Sequence, residues 1–377
     1  MASGVIARGD LARLRLSRTE GIGPATYRRL LARHGSAEAA LAALPQHAAR
    51  TGKPLIPPPP GEVEREMAAL ARMGGRFIFL DGPDYPALLA LLDDAPPALA
   101  VLGEIAVLSA RQVGLVGARS ASAAGRRVAE QLAAGLVDAG IAVTSGLARG
   151  IDAAAHEATL HAHGATIAAV AGGLDVPYPP ENAGLQLRIA AEGGAVVSEA
   201  PLGTAPLARH FPRRNRIVAG LCLGVVVVEA APKSGSLITA RLALEAGREV
   251  FAVPGNPLDP RARGGNDLIR QGAHLTETAE DILNFLPEAP REMPLFAPRH
   301  APVARFEPAS AEPDPPGAAP DGGAKVLELI GPTPVGVDDL VRRCQLSAPI
   351  VQAILLDLEL SGLVEALPGN RVVRSSP

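Results

Sequence analysis

The chain has 377 residues, a formal net charge of −3 and 47% hydrophobic residues, which predicts two or three domains with sizeable cores and excludes wholesale disorder. Aromatic residues make up only 3%, which excludes a surface of many stacked rings, and the near-neutral charge excludes a globally polycationic binder. Cys222 and Cys344 lie too far apart in the sequence to make a disulfide framework or a thiolate metal site. No apolar run has the length of a signal peptide or a membrane span, so we expect a cytoplasmic protein.

Residues 9–72 are predicted to form an N-terminal helical domain similar to SAM or helix-hairpin-helix modules. Leucines recur there at helical spacing, and Gly21-Ile22-Gly23-Pro24 forms a tight turn between two helices. A Gly-Ile-Gly turn flanked by arginines can offer backbone N–H groups to a DNA phosphate. It is also what a plain helical turn with solvated arginines looks like, and we prefer this simpler interpretation.

Residues 76–285 alternate short Val/Ile-rich runs with amphipathic segments, a pattern typical of an α/β domain with buried parallel strands. We predict an extended Rossmann-like, doubly wound, mostly parallel sheet. The predicted strands are 77–80, 113–116, 142–144, 166–170, 195–197, 225–228 and 250–253. The predicted helices are 123–138, 152–161, 184–191, 211–221, 236–246 and 266–271.

Residues 287–323 are predicted to be a linker, because ten prolines lie between positions 287 and 320. Residues 324–374 are predicted to be a winged-helix domain, with helices at 325–330, 337–344 and 348–360 and a hairpin at 362–373 that turns at Gly369-Asn370. The third helix has no basic residue, so it is a poor major-groove reader. Protein docking and DNA binding both remain open for this domain.

Small or hydrogen-bonding residues follow six of the predicted parallel strands. In an open parallel sheet the carboxyl ends of the strands meet at one edge, where helix N-termini point free N–H groups at ligands. Six such ends therefore predict a long anion-binding rim. The segments are Gly117-Ala118-Arg119-Ser120, Ser145-Gly146 through Gly150, Ala171-Gly172-Gly173, Ser198-Glu199, Glu229 with Lys233-Ser234-Gly235-Ser236, and Pro254-Gly255-Asn256.

A basic segment at residues 203–216 contains Arg209, Arg213, Arg214 and Arg216 around Phe211, with no acidic residue. Arginines around one aromatic ring suit single-stranded nucleic acid, with phosphates on the guanidinium groups and a base on the ring. The alternative is a core-facing phenylalanine with arginines that only line the start of a helix. Cations in the first turn oppose the helix dipole and lack a stabilising role there, so we prefer the functional interpretation.

The motifs of other chemistries are absent from the sequence. It has no G-x-x-x-x-G-K-[ST], G-x-G-x-x-G or G-x-S-x-G motif, and a histidine–glutamate pair in the predicted 152–161 helix lacks a second histidine four residues on. Asp152 and Glu229 could be catalytic carboxylates, or they could hold arginines such as Arg119 or Arg149 by ion pairing. We prefer the ion pairs, and predict no catalytic residue, no metal site and no cofactor.

Seven segments of the α/β region carry distinctive motifs in a fixed order. They are VGLVGARSASAAGRR, SGLARGIDAAAHEATL, YPPEN, SEAPLG, FPRRNRIVAGL, VVVVEAAPKSGSLITARLALEAGREVFAVPG and NDLIRQGAHL. Together they resemble the DprA/Smf family of DNA-processing proteins. The resemblance implies a bacterial protein without catalytic activity that binds single-stranded DNA irrespective of sequence, protects incoming DNA in natural transformation and helps to load the RecA recombinase. It also implies a homodimer formed through the Rossmann-like domain.

The resemblance also implies which residues bind DNA. Many relatives carry a lysine just before the FPxRNR segment, where this chain has Ala208, Arg209 and His210, and we take Arg209 as its substitute. The expected DNA-binding residues are Gly117, Arg119, Ser120, Ser145, Gly146, Arg209, Phe211, Arg213, Arg214, Asn215, Lys233, Ser234, Gly235 and Ser236.

Two functions of other classes compete with this prediction. A Rossmann-like nucleotide phosphoribohydrolase, of the lysine-decarboxylase-like group, would bind a phosphate at the same glycines and use Arg214 and Glu229 as its catalytic pair. Its usual P-G-G-x-G-T loop is replaced here by Lys233-Ser234-Gly235-Ser236. A transcription regulator would read duplex DNA with the winged helix and sense a metabolite with the sheet, but the acidic third helix argues against it.

Overall fold

The computed structural model describes residues 8–51, 54–287, and 326–327, 329–330, 334–344, 351, 354–355, 358–359, 363–367 and 371–374 of the C-terminal region. The predicted linker beyond Pro287 and the Gly369-Asn370 turn lie outside these residues. The chain divides into two compact units, Met1–Ser17 with Gly23–Arg28 and Pro59–Ala301, and Arg18–Ile22 with Arg29–Pro58 and Pro302–Pro377. Within the described ranges, no helix combines the length and apolar content that crossing a bilayer requires.

A nine-stranded sheet forms the centre of the first unit, in the order β1-β2-β6-β5-β4-β3-β7-β8-β9. The pairs β1–β2 and β2–β6 are antiparallel, and every other pair of neighbours is parallel. The predicted mostly parallel sheet is therefore confirmed. The strands are β1 Arg76–Phe79, β2 Ala98–Gly103, β3 Gln112–Val116, β4 Ala142–Ser145, β5 Thr166–Ala169, β6 Ala195–Ser198, β7 Gly224–Val227, β8 Glu249–Ala252 and β9 His274–Leu275.

Helices precede the sheet and then cover both of its faces. The first four are α1 Arg8–Ser17, α2 Pro24–His34, α3 Ala37–Thr51 and α4 Pro60–Arg72. Those between or after the strands are α5 Ala87–Ala90, α6 Ala123–Asp138, α7 Ile151–His161, α8 Ala183–Ala191, α9 His210–Leu221, α10 Gly235–Glu245, α11 Arg263–Arg270 and α12 Ala279–Leu283, with short 3-10 turns at Ile105–Ser109 and Pro180–Asn182.

The central strands are apolar on both faces because helices cover both. Val225 and Val227 of β7 belong to the cluster on one face, whereas Val226 packs with Leu115 and Leu132 on the other. All five side chains are at most 1% exposed, and burial of each contributes about 1.5–3 kcal/mol to folding. The core thus fixes which strand ends meet at one edge of the sheet.

Two strands of the sheet were not predicted. β2, with the sequence ALAVLG, has alanine and leucine where buried strands usually have β-branched residues. β9 has only two residues, too few for any periodic pattern. Both lie away from the parallel centre, since β2 adjoins the edge strand β1 and β9 is the opposite edge.

Arginines near the Gly-Ile-Gly turn contact protein groups. Arg13 donates to Asp10 at 3.1 Å and to Asp81 at 2.8 Å, and Arg28 donates to the carbonyl oxygen of Leu92 at 2.6 Å. These contacts give the two arginines a structural role. They do not involve the backbone N–H groups of the turn, for which the simpler interpretation stays a prediction.

The described C-terminal residues have the winged-helix arrangement that was predicted. Helix α13, Val337–Cys344, follows β10, Val335–Gly336, and a three-stranded antiparallel sheet has the order β10-β12-β11. The hairpin strands are β11, Val364–Leu367, and β12, Arg371–Arg374. Strand β10 was not predicted, because two residues carry no pattern.

Candidate functional site

A groove of about 1030 Å³ opens beyond the carboxyl ends of β3, β4 and β7. On one side of β3, the strands β4, β5 and β6 follow each other toward one edge of the sheet. On its other side, β7, β8 and β9 follow each other toward the opposite edge. The groove therefore lies where the strand order reverses, the usual ligand position in open parallel sheets. The expected site residues that line it are Gly117, Arg119, Ser120, Gly146, Phe211, Arg214, Asn215, Lys233, Ser234, Gly235 and Ser236.

Phe211 lies on the wall of this groove between a cation and a second aromatic ring. The guanidinium carbon of Arg119 is 4.9 Å from the centroid of the Phe211 ring. The Tyr178 ring meets Phe211 edge-on, with centroids 5.7 Å apart and an interplanar angle of 63°. Tyr178 is 44% exposed and Arg119 is also exposed. The site therefore offers a half-buried ring next to a solvent-accessible positive charge.

The loop before α10 also lines the groove. Ser234 caps α10 by accepting a hydrogen bond from the backbone N–H of Ser236 at 3.3 Å. Asn215, which is 8% exposed, donates from Nδ2 to the carbonyl oxygen of Gly235 at 3.3 Å and so ties the loop to α9. Lys233 is exposed at the groove. A lysine beside a helix N-terminus is an arrangement that attracts anions.

Arg214 lines the groove with only 7% of its surface exposed. Its side chain is buried, and Nη1 donates to the carbonyl oxygen of Ala169 at 2.9 Å. A Cβ atom at Gly146 would collide with this guanidinium, so the strand end needs glycine there. Asp152 accepts hydrogen bonds from the backbone N–H groups of Gly146 at 3.1 Å and Ala148 at 3.3 Å. Glycine, arginine and aspartate thus fix the shape of the loop after β4.

Burial shifts the pKa values of Asp152 and Arg214 in opposite directions, because it disfavours the charged form of each. It raises the pKa of the Asp152 carboxyl, which the Arg214 charge counteracts. It lowers the pKa of the Arg214 guanidinium, with Asp152 opposing that shift and Arg119 reinforcing it. The two side chains compensate each other's charge, so the exposed positive charge of the groove comes from Arg119 and Lys233.

Three predicted DNA-binding residues do not line the groove. The prediction for Ser145 is wrong for its side chain, which is fully buried and donates to the carbonyl oxygen of Leu115 at 2.6 Å. Arg209 and Arg213 are exposed on the solvent side of the start of α9. Of the same basic segment, Arg216 is buried in an ion pair, and its Nη2 lies 2.6 Å from Glu199.

The predicted ion pairs of Asp152 and Glu229 with Arg119 or Arg149 are wrong. Asp152 binds backbone N–H groups, as described above. Glu229 accepts hydrogen bonds from the hydroxyl of Ser122 at 2.6 Å and from its backbone N–H at 3.0 Å, at the start of α6. Carboxylates at helix N-termini are stabilised by the unpaired N–H groups there, which explains Glu229, whereas Asp152 is stabilised by the loop N–H groups and by the charge of Arg214.

Tyr178 and Arg261 are among the groove residues that the sequence analysis missed. Tyr178 belongs to the YPPEN segment, where its exposure was not apparent, although tyrosine is scarce in this chain. Arg261 reaches the groove from the loop after β8 and is paired with Asp259 at 2.9 Å. Across the residues that the structure describes, no group of three or more His, Cys, Asp or Glu side chains could hold a metal ion.

The family model described as DNA recombination-mediator protein A matches residues 76–287, more than half of the chain. The chain belongs to this family. Two further models match on either side of that segment: the DprA-like N-terminal HHH domain at residues 7–69 and the DprA winged-helix domain at residues 309–370. The resemblance inferred from the sequence motifs is confirmed.

Several relatives of this family member are known. Protein Smf of Escherichia coli is 40% identical over 321 residues, which are 83% of this chain and 81% of the relative. DNA processing protein DprA of Bacillus subtilis is 44% identical over 228 residues, 60% of this chain and 76% of the relative. Both alignments extend over most of the relative.

Two solved structures have a similar fold. The X-ray structure of DprA from Streptococcus pneumoniae has a TM-score of 0.63 at 33% identity, covering 75% of this chain and 99% of that one. DprA from Helicobacter pylori, whose structure addresses its single-stranded DNA binding mode, has a TM-score of 0.50 at 28% identity, covering 55% of this chain and 94% of that one. These similarities agree with the mostly parallel sheet observed here.

Proposed function

We propose that this protein is a recombination mediator that binds single-stranded DNA in the groove at the strand-order reversal. The observation that carries the proposal is the contact between the Arg119 guanidinium and the Phe211 ring, 4.9 Å apart at the groove. An exposed cation over an aromatic ring places a group that binds phosphate next to a group that stacks with a base. Membership of the recombination-mediator family and the DNA-binding relative from Helicobacter pylori support the same conclusion.

In the proposed binding mode, three parts of the groove contact the DNA strand. A base stacks on Phe211, Arg119 neutralises a phosphate next to it, and Lys233 with the N-terminus of α10 binds another phosphate. Ring stacking and phosphate contacts carry little sequence information, so binding is independent of sequence. A duplex keeps its bases paired and stacked inside, which leaves no free base for Phe211.

The buried residues hold these groups in place. Asp152 holds the loop after β4, and Arg214 bonds the end of β5 next to Gly146. Asn215 holds the loop before α10 through the carbonyl oxygen of Gly235. Among the residues predicted from the sequence, Arg214 and Asn215 therefore act as positioning residues, whereas Arg119, Phe211 and Lys233 contact DNA. Gly117, Ser120, Ser234, Gly235 and Ser236 shape the walls that the strand follows.

The biological role that we propose is protection of incoming single strands and loading of RecA during natural transformation, by a homodimer without catalytic activity. It rests on the family resemblance and on the family's description as recombination mediators. Bound DNA held by a single groove leaves the rest of the strand accessible, as transfer to a recombinase requires.

A mobility-shift experiment with the full chain tests this function. Single-stranded and double-stranded oligonucleotides of the same length are incubated with the protein, and RecA is then added to the complex. We expect a shift of the single strand at protein concentrations that leave the duplex free, and RecA on the strand sooner than without the protein. Equal shifts of both DNA forms, or no effect on RecA, would overturn the proposal.

A further inference from the structure

A second, smaller pocket of about 50 Å³ adjoins the groove and shares Arg119, Tyr178 and Phe211 with it. Arg149 lines only the smaller pocket. The side chain of Arg149 is 61% exposed and is paired with Glu181, whose side chain is 47% exposed. The smaller pocket thus places the positive charge of Arg149 near the Phe211 ring, on which we place a base. That charge is neutralised by the carboxylate of Glu181.

The two loops that carry this pair are fixed to their neighbours. Asn182, next to Glu181 in the chain, donates from Nδ2 to the carbonyl oxygens of Leu147 at 2.9 Å and Ala148 at 3.3 Å. Gly150, next to Arg149, has a φ of +77° and leaves no room for a Cβ atom against the carbonyl of Ala118. The backbone therefore holds both partners in position, and only their side chains need to move.

We propose that Arg149 binds a DNA phosphate in the smaller pocket and that Glu181 occupies Arg149 until DNA arrives. This proposal rests on the function proposed above. Exposed ion pairs between flexible side chains contribute little stability, so a phosphate can replace the carboxylate at low cost. The carboxylate still competes for the same guanidinium and repels the incoming strand. Glu181 therefore weakens binding and favours release of the DNA.

Opposite effects of two substitutions test the proposal. Fluorescence anisotropy with fluorescein-labelled oligo(dT) gives the Kd of the full chain, of R149Q and of E181Q between 50 and 200 mM salt. We expect R149Q to raise Kd. Between 50 and 200 mM salt, the affinity of R149Q should fall by a factor about 2.6-fold smaller than the affinity of the wild type, because one single-strand phosphate contact is missing. We expect E181Q to lower Kd about 1.5- to 5-fold, the range that corresponds to one exposed ion pair, because the carboxylate no longer competes with DNA for the Arg149 guanidinium.

The Arg188–Glu192 ion pair of α8 provides the matched control. Its side chains are both 44% exposed, the partners lie 2.9 Å apart, and neither lines the groove or the smaller pocket. R188Q and E192Q make the same changes in net charge, and we expect both to bind oligo(dT) like the wild type. If R149Q and E181Q shift Kd no more than R188Q and E192Q do, the proposal is wrong.

A further variant separates this failure from that of the proposed function. R119Q removes the cation next to Phe211. If R119Q weakens binding while R149Q and E181Q leave it unchanged, the groove binds DNA and only the role of Arg149 is refuted. If the wild type itself does not bind oligo(dT), both proposals are refuted. Equal melting temperatures of all variants show that the substitutions, at exposed side chains, leave the fold intact.

Discussion

Phe211 supplies the stacking surface of the proposed interface, and its ring meets Arg119 and Tyr178. Loss of one stacked base costs about 1–3 kcal/mol, so we expect F211L to raise the Kd for oligo(dT) about 5- to 150-fold. F211Y keeps a ring of the same size and serves as the control, with a Kd close to that of the wild type. Anisotropy titrations measure both. Wild-type affinity in F211L would show that the ring does not contact DNA.

His156 of α7 is a fully buried histidine. Its Nδ1 lies 2.7 Å from the hydroxyl of Thr166, and that hydroxyl donates to the carbonyl of Val143. The hydroxyl therefore accepts the Nδ1–H bond of a neutral ring. Burial, with a smaller effect of the Arg214 charge, lowers the pKa of His156 to about 3.

The lowered pKa predicts how stability depends on pH. Below pH 6.5 the unfolded chain takes up a proton that the folded ring refuses until about pH 3, so stability is lost as the pH falls. Between pH 7 and pH 5 this loss is about 2 kcal/mol. In urea denaturation, the free energy of unfolding of H156Q should therefore fall by about 2 kcal/mol less than that of the wild type between pH 7 and pH 5. The control H161Q changes an exposed histidine of the same helix and should behave like the wild type, and identical pH profiles of H156Q and wild type would contradict the account.

At the scale of elements, the loop after β4 depends on Gly146, because a Cβ atom there would collide with Arg214. We expect G146A to lower the free energy of unfolding by about 1–3 kcal/mol, as overpacked cores do, and to weaken DNA binding. The control is G184A on α8, where a Cβ atom would meet nothing within 4 Å. Alanine is the better helix former, so G184A should be neutral or slightly stabilising in urea denaturation. Equal stability of the two variants would refute the role given to Gly146.

The start of α6 is anchored to the end of β7 by Glu229, which accepts two hydrogen bonds from Ser122. Hydrogen bonds to a charged group contribute about 1.5–3 kcal/mol, so we expect E229Q to lower the free energy of unfolding by an amount of that order and to retain binding of oligo(dT). The same variant examines the rival function. If the wild type released the base from a nucleoside monophosphate and E229Q did not, Glu229 would be catalytic and the protein a phosphoribohydrolase.

At the scale of the whole molecule, the sequence predicted the parallel centre of the sheet because β3 and β7 contain short valine-rich apolar runs, which are typical of buried parallel strands. It also predicted that these strand ends meet at one groove, since strand ends that share a direction share an edge, whatever the lengths of the helices between them. Gly117, Gly146 and Lys233 could be placed in one groove on that ground alone.

The orientation of individual side chains could not be predicted in this way. Arg213 and Arg214 are neighbours on α9, yet Arg213 is exposed and Arg214 is buried under Gly146. Which face of α9 points inward depends on the space that a distant glycine leaves free, and this is a property of packing. Tyr178 reaches Phe211 for the same reason, from a loop 33 residues earlier in the chain.

The central claim is that exposed cations in this groove neutralise the phosphates of a single strand. The salt dependence of oligo(dT) binding tests it most directly, measured for the wild type and for the double variant R119Q/K233Q. For single strands, log K falls with log salt concentration by about 0.7 per phosphate contact. The account predicts a slope smaller by about 1.4 in the double variant, with weaker binding at low salt. An unchanged slope and affinity would contradict it.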